Sequence, residues 1–139
     1  MYFIEGQSHD PAYNLALEEY LYRSVNEGHP GYFLLWQNAP SIIVGRFQNT
    51  AQEVNRPFVE ERGIRVVRRI SGGGAVYHDL GNVNYSFIVP NDEGTPFDFA
   101  RHARPVIDAL ARGLPLPAEV EIDATPYRDV MICTHGSRD

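Results

Sequence analysis

The sequence predicts an α+β fold, with helices packed on a mixed or antiparallel β-sheet. Three observations carry that expectation. An amphipathic stretch opened by proline stands near the N-terminus, a series of short β-rich runs follows it, and these runs do not alternate strictly with helical segments as a βαβ chain would.

The helix comes first. Asp10-Pro11 reads as an N-cap followed by proline at the first helical position, and Tyr13, Ala16, Leu17, Tyr20 and Leu21 recur at helical spacing. The helix is expected to run to near Asn26, ahead of Gly28. Tyr32–Trp36 and Ser41–Gly45 are short β-rich runs, and Asn38-Ala39-Pro40 between them suits a hairpin-like reversal. Glu53–Arg62 is weakly helical, and Gly63–Ile70 is a third strand. Asp79-Leu80-Gly81-Asn82 reads as a turn before a fourth strand over Asn82–Val89. Phe99, Ala103, Val106 and Leu110 share one helical face, with Pro105 expected to kink or restart that helix. Beyond Gly113 the signal decays. Leu114-Pro115-Leu116-Pro117 is a breaker, Val120, Ile122 and Ala124 alternate weakly, and residues 125–139 show no period.

Composition narrows the function classes. The chain has 139 residues and 43% apolar content, which suits one compact core. A net charge of −6 argues against a broad nucleic-acid face, although Arg62, Arg65, Arg68 and Arg69 form a local basic cluster. The single cysteine, Cys133, excludes an internal disulfide framework and a zinc site built on several cysteines. No apolar run reaches membrane-spanning length, and the N-terminus carries no basic region followed by an apolar core, so the expected location is the cytoplasm. All 12 basic residues are arginine; the sequence contains no lysine.

The run from Arg68 to Phe87, RRISGGGAVYHDLGNVNYSF, sets three consecutive glycines between segments that read as strands. Each glycine weakens an element interior by roughly 0.5–1 kcal/mol relative to alanine, so something should offset them. Glycine lets successive N–H groups line a concave surface and lets an anion or flat ligand approach where a β-carbon would collide. Arg69 offers a planar fork to a phosphate or carboxylate, Ser71 a hydroxyl, and His78 a donor across the loop. The alternative is a bulge or hairpin with no ligand. Gly-x-Gly-x-x-Gly is not matched, no lysine follows the last glycine as a P-loop requires, and Ala75–His78 reads as extended. Any ligand would be bound by backbone presented from a sheet.

The run Arg69-x-Ser-Gly-Gly-Gly-Ala-Val-Tyr-His-Asp-x-Gly-Asn-x-Asn-x-Ser-Phe87 resembles the lipoate-binding glycine loop of lipoate-protein ligases, members of the biotin and lipoate ligase superfamily. Two flanking segments agree in order and spacing. Asp10-Pro-x-Tyr-Asn-Leu-Ala-Leu-Glu-Glu-Tyr-Leu21 resembles the family's first helix, and Leu35-Trp-Gln-Asn-x-Pro-Ser-Ile-Ile-Val-Gly-Arg46 its following hairpin.

The resemblance implies activation of lipoate by ATP with Mg²⁺, giving a lipoyl-adenylate, and transfer to a lysine of an acceptor domain. The acceptors would be lipoyl domains of 2-oxoacid dehydrogenase complexes or the glycine cleavage H protein. It places Arg69, Ser71, Gly72, Gly73, Gly74, Ala75, Val76, Tyr77 and His78 around the adenylate, and Trp36 and Arg46 beside the lipoyl chain. Trp36 reads equally well as a core residue, and His78 as a cap for the turn that follows it.

One departure from the family pattern bears on catalysis. The family carries Gly-Arg-Asn-Asp and then a lysine downstream of the glycine loop; here Tyr127–Ile132 is a degraded echo, and no lysine exists to bridge carboxylate and phosphate. Residues 1–113 are therefore expected to be the N-terminal half of a ligase-like catalytic domain, and 114–139 a divergent tail from a truncated or frame-shifted gene. Two further functions stay open: a non-catalytic adenylate-binding module completed by a second chain, and an octanoyl transferase using Cys133 as nucleophile.

Overall fold

The computed structural model of the chain describes residues 1–90, 102–106, 108 and 112, with the backbone alone at 123–127 and 130–135. Strand β1 (Tyr2–Glu5) leads into helix α1 (Pro11–Ser24). The Asp10 carboxylate accepts from the Ala12 and Tyr13 amides at 2.8 and 3.3 Å, so the cap forms as the local sequence dictates. An Arg65 Nη1–Asp10 Oδ2 contact of 2.6 Å pins this helix start to a strand 55 residues away.

Strands β2 (Tyr32–Trp36) and β3 (Ser41–Val44) follow, then two short helices, α2 (Thr50–Glu53) and α3 (Arg56–Glu61). Next come β4 (Arg65–Arg68), β5 (Val76–His78), β6 (Asn84–Pro90), β7 (Asp123–Tyr127) and β8 (Val130–His135). Among the described residues, 102–106, 108 and 112 are helical. Pro105 lies within that helical stretch, whereas Phe99 and Leu110 lie outside the described residues.

Among the described residues two sheets form, ordered β1-β2-β6-β8-β7 and β4-β3-β5. The expected hairpin between β2 and β3 does not exist. β2 pairs parallel with β1 and antiparallel with β6, while β3 pairs parallel with β4 and antiparallel with β5. Asn38-Ala39-Pro40 instead carries the chain from one sheet to the other, and the Ala39 amide donates to His9 O at 2.8 Å. Local composition marks a reversal; only long-range pairing decides which strands meet.

Helix α1 packs where both sheets contribute. Leu15, Leu21 and Tyr22 form one buried cluster with Leu34, Trp36 and Ile88 of the larger sheet and Ile43 of the smaller. On the opposite face of the larger sheet Tyr85 and Phe87 pack with Phe33, Leu35 and Val106. β6 is thus covered on both faces and reads as an unbroken buried run up to Val89.

The buried face of α1 is Pro11, Asn14, Leu15, Glu18, Leu21 and Tyr22. The sequence-predicted face is rotated from this, since Tyr13, Ala16 and Tyr20 are exposed and only Leu21, with Leu17 in part, turns inward. The reason is chemical. Two of the inward positions are polar, so a search for apolar spacing chose the wrong stripe.

Candidate functional site

The glycine loop is held from beneath. Arg69 follows the end of β4, is 6% exposed, and turns its guanidinium on main-chain carbonyls. Nε and Nη2 donate to Gly72 O at 3.1 and 2.7 Å, Nη2 also donates to Gly74 O at 2.9 Å, and Nη1 donates to Ile43 O at 3.2 Å. A planar fork with five N–H groups suits such converging acceptors, which a single ammonium could not span.

Two glycines of the loop differ in what they demand. Gly73 adopts φ +92°, a left-handed backbone that favours glycine. Its carbonyl oxygen packs onto Gly45, where an added β-carbon would lie 2.1 Å away. Gly74 is outside the left-handed region, and a β-carbon there would meet nothing within 4 Å. Neither conformation nor packing explains glycine at position 74.

Beside the loop lies a set of buried polar side chains: Asn14, Glu18, Asn38, Ser41, Arg69, His78, Asn84 and Ser86. Burying so many is costly without mutual hydrogen bonds; several of these side chains are linked, while Asn14 Oδ1, Ser41 Oγ and Asn84 Nδ2 find no partner among the described residues. Trp36 Nε1 donates to Ser86 Oγ at 3.2 Å, and Ser86 Oγ donates in turn to Glu18 Oε1. The Trp36 and His78 rings meet edge-on at 5.8 Å, and His78 Nδ1 lies 3.1 Å from Asn38 Nδ2. Asn38 Oδ1 accepts from Asn14 Nδ2 at 3.0 Å.

Register explains the convergence. Leu34 stands opposite Ser86 and Trp36 opposite Asn84, so these side chains share the sheet face that α1 covers. Ser41 stands opposite His78 in the smaller sheet.

The electrostatics follow from burial. Desolvation pushes the Glu18 carboxyl up to about 7, against the pull of the Ser86 hydroxyl and the Arg69 charge. His78 is held down to about 4 by burial first and by Arg69 second, with Asp79 opposing, so it is neutral at physiological pH. An amide NH₂ group only donates, so His78 Nδ1 accepts from Asn38 and the ring proton resides on Nε2. The site therefore offers a neutral imidazole donor and an arginine charge beneath glycine backbone.

The sequence-predicted residues divide accordingly. Arg69, Ser71–His78 and Trp36 lie within this region, with Val76 and Tyr77 exposed on β5 and His78 buried at its end. His78 does not cap the turn after it, because the Asp79 carboxylate does so by accepting from the Gly81 amide at 2.7 Å. Trp36, 3% exposed, belongs to the core and borders the polar network as well. Arg46 is exposed on the turn after β3, its guanidinium 5.3 Å over the Phe47 ring, and its amide donates to Ser71 O at 2.9 Å. Cys133 sits in mid-strand on β8, opposite Phe87 and Ala124.

Sequence reasoning assigned no site role to Asn14, Glu18, Asn38, Asn84 or Ser86. The series 11, 14, 15, 18, 21, 22 along α1 was the available signal. A hollow of about 460 Å³ between α2, α3 and β4, lined by Thr50, Val54, Val59, Ile64 and Val66 among others, contains none of the site residues.

Residues 10–134 match the family model of the lipoyl protein ligase A/B catalytic domain. The chain is similar to lipoate-protein ligase LplJ of Bacillus subtilis, 51% identical over 111 residues, which are 79% of this chain and 33% of that protein. The crystal structure of P. falciparum LipL1 in complex with lipoate superimposes with a TM-score of 0.80 at 25% identity, over 97% of this chain and 47% of that one. A bi-partite lipoate protein ligase from Thermoplasma acidophilum, described with its E2 lipoyl domain, gives 0.76 at 27% identity, over 97% and 59%. The chain thus spans about a third of the length of its curated relatives. With the family model matched over residues 10–134 of its 139, this chain belongs to the lipoyl protein ligase A/B catalytic domain family.

Proposed function

We propose that the chain binds lipoate and its adenylate across the glycine loop, and serves the ATP-dependent attachment of lipoate to an acceptor domain. Gly74 carries this reading: its α-carbon is open, on a loop whose shape Arg69 dictates, next to a buried polar network. In this reading the backbone of Gly72, Gly73, Gly74, Ala75, Val76 and Tyr77 lines the adenylate, with the Ser71 hydroxyl at its edge. Arg69 contributes positive charge from beneath, where a developing phosphate charge is stabilised. His78 donates from Nε2 to the acyl phosphate without carrying charge, while Trp36 and Arg46 border the lipoyl chain.

Mg²⁺ would enter with the nucleotide phosphates. Among the described residues no group of three or more His, Cys, Asp or Glu could hold a metal, and no step here is assigned to one. Acceptors of the lipoyl group would be lipoyl domains, as the bi-partite relative described with its E2 lipoyl domain suggests.

A second reading is favoured by one observation. The chain has no lysine, so a compact ammonium between carboxylate and phosphate has to come from elsewhere. In that reading the chain is an adenylate-binding module completed by a second polypeptide.

Calorimetric titration with a non-hydrolysable lipoyl-adenylate analogue, on the wild type and Arg69→Ala, tests the binding step. Binding that weakens in the variant is the expected result. A folded wild-type chain that takes up no analogue overturns the proposal. Adenylate formation by the chain alone, from lipoate and ATP, overturns the second reading.

A further inference from the structure

We propose that Arg68 is a positioning residue for the ligand cradle: it clamps the turn at residues 45–50 against the glycine loop. The inference rests on the reading that this loop takes an adenylate. Arg68 and Arg69 are consecutive at the end of β4, so their side chains leave on opposite sides. Arg69 goes beneath the glycine loop. Arg68 stays at the surface and turns on the neighbouring turn.

Its Nη1 donates to three carbonyl oxygens, Gly45 at 2.7 Å, Arg46 at 3.2 Å and Gln48 at 2.8 Å, and its Nη2 donates to Thr50 Oγ1 at 2.7 Å. Carbonyl dipoles that converge this closely repel one another unless a cation sits among them. Arg68 is that cation. The turn is closed further by Gln48 N to Gly45 O at 3.1 Å and by Gly45 N to Gln48 Oε1 at 2.9 Å.

The clamped turn touches the cradle twice. The Arg46 amide donates to Ser71 O at 2.9 Å, and Gly45 packs on the Gly73 carbonyl. The turn also presents Arg46 and Phe47, the latter 84% exposed. Four hydrogen bonds from one arginine to a surface turn confer order where the core gains no apolar burial. What they supply is a preformed wall, so a ligand does not have to order the turn when it binds.

The test compares wild type, Arg68→Ala, Arg68→Gln and Arg68→Lys, with Arg56→Ala as a surface control, by calorimetry with the lipoyl-adenylate analogue and by amide hydrogen exchange. Both neutral variants should bind about tenfold more weakly or worse. The Arg46 and Gln48 amides should exchange faster, while Leu34 and Ile88 keep their protection. Arg68→Lys should fall between, because an ammonium can sit among the carbonyls but cannot also reach Thr50. A folded neutral variant that binds like wild type overturns the inference and leaves the proposed function standing. So does weakened binding matched by equal loss of protection at Leu34 and Ile88, which would mark a role in stability alone. A folded wild type that does not bind removes the adenylate reading instead, and unchanged Arg46 protection in the variants then removes the clamp as well.

Discussion

The Gly73 carbonyl oxygen lies 2.1 Å from the place a β-carbon on Gly45 would occupy, so the turn after β3 and the glycine loop meet at a contact that admits no side chain. Both atoms are held by main chain, and neither moves cheaply. Gly45→Ala is expected to cost about 1–3 kcal/mol, the range for forcing extra volume into packed structure. Chemical denaturation reads that loss, and the same variant should bind the adenylate analogue poorly. Stability within error of wild type would show that the two loops separate without penalty.

Gly74→Ala should behave in the opposite way. The new methyl group meets no protein atom within 4 Å and demands no left-handed backbone, so stability should stay within about 0.5 kcal/mol of wild type. Affinity for the analogue should fall by about tenfold or more, because in the proposed binding mode the methyl group stands where the ligand approaches. Equal affinity in this variant would leave the third glycine without a ligand role.

Glu18 and His78 impose opposing pH dependences. Glu18 is raised from 4.5 to about 7, so the folded state prefers its protonated form; the stability this provides is full below pH 4.5 and is lost as pH rises to about 7. His78 is lowered from 6.5 to about 4, so the folded state prefers the neutral ring; that contribution is present above pH 6.5 and is lost as pH falls toward 4. Glu18→Gln removes only the first. Its stability relative to wild type should therefore rise between pH 5 and pH 8, by up to about 3 kcal/mol, since the amide oxygen can still accept from Ser86. Urea denaturation at the two pH values decides it, and an identical difference at both would refute the assignment.

Ser86→Ala should leave the Trp36 Nε1–H and the Glu18 carboxyl without their shared partner, deep in the core. A loss of about 1–3 kcal/mol is expected, the usual penalty for stranding buried polar groups. Trp36 is the only tryptophan, so its emission reports the change in surroundings directly. An unaltered spectrum and an unaltered denaturation midpoint would show that the Trp36–Ser86–Glu18 chain contributes nothing.

Parts of this molecule were legible because they depend on neighbours in sequence. Asp10 and Pro11 start α1 by local capping, and the helix ends within two residues of the expected place. The glycine loop could be read because backbone geometry admits few other residues at Gly73 and Gly45. Strands β1, β7 and β8 were not anticipated. Tyr2–Glu5 becomes a strand by pairing in parallel with Tyr32–Leu35, and Asp123–Tyr127 pairs with Val130–His135, which in turn joins β6. Such partners lie beyond any local window, and β-propensity without a partner is a weak guide.

The candidate site divides along the same line. The sequence by itself determined the family, the α+β class, the helix start and the glycine loop, because each rests on residue identity at short spacing. It also showed that any lysine used in the chemistry is not in this chain. Only the tertiary structure decided which side chains surround the loop. Asn14 and Glu18 turn inward on α1, Asn38 reaches His78 from the segment that links the two sheets, and Ser86 joins Trp36 to Glu18. Burying polar residues costs least where partners from distant segments meet them, and those partners are assigned by packing and strand register, which no local pattern encodes.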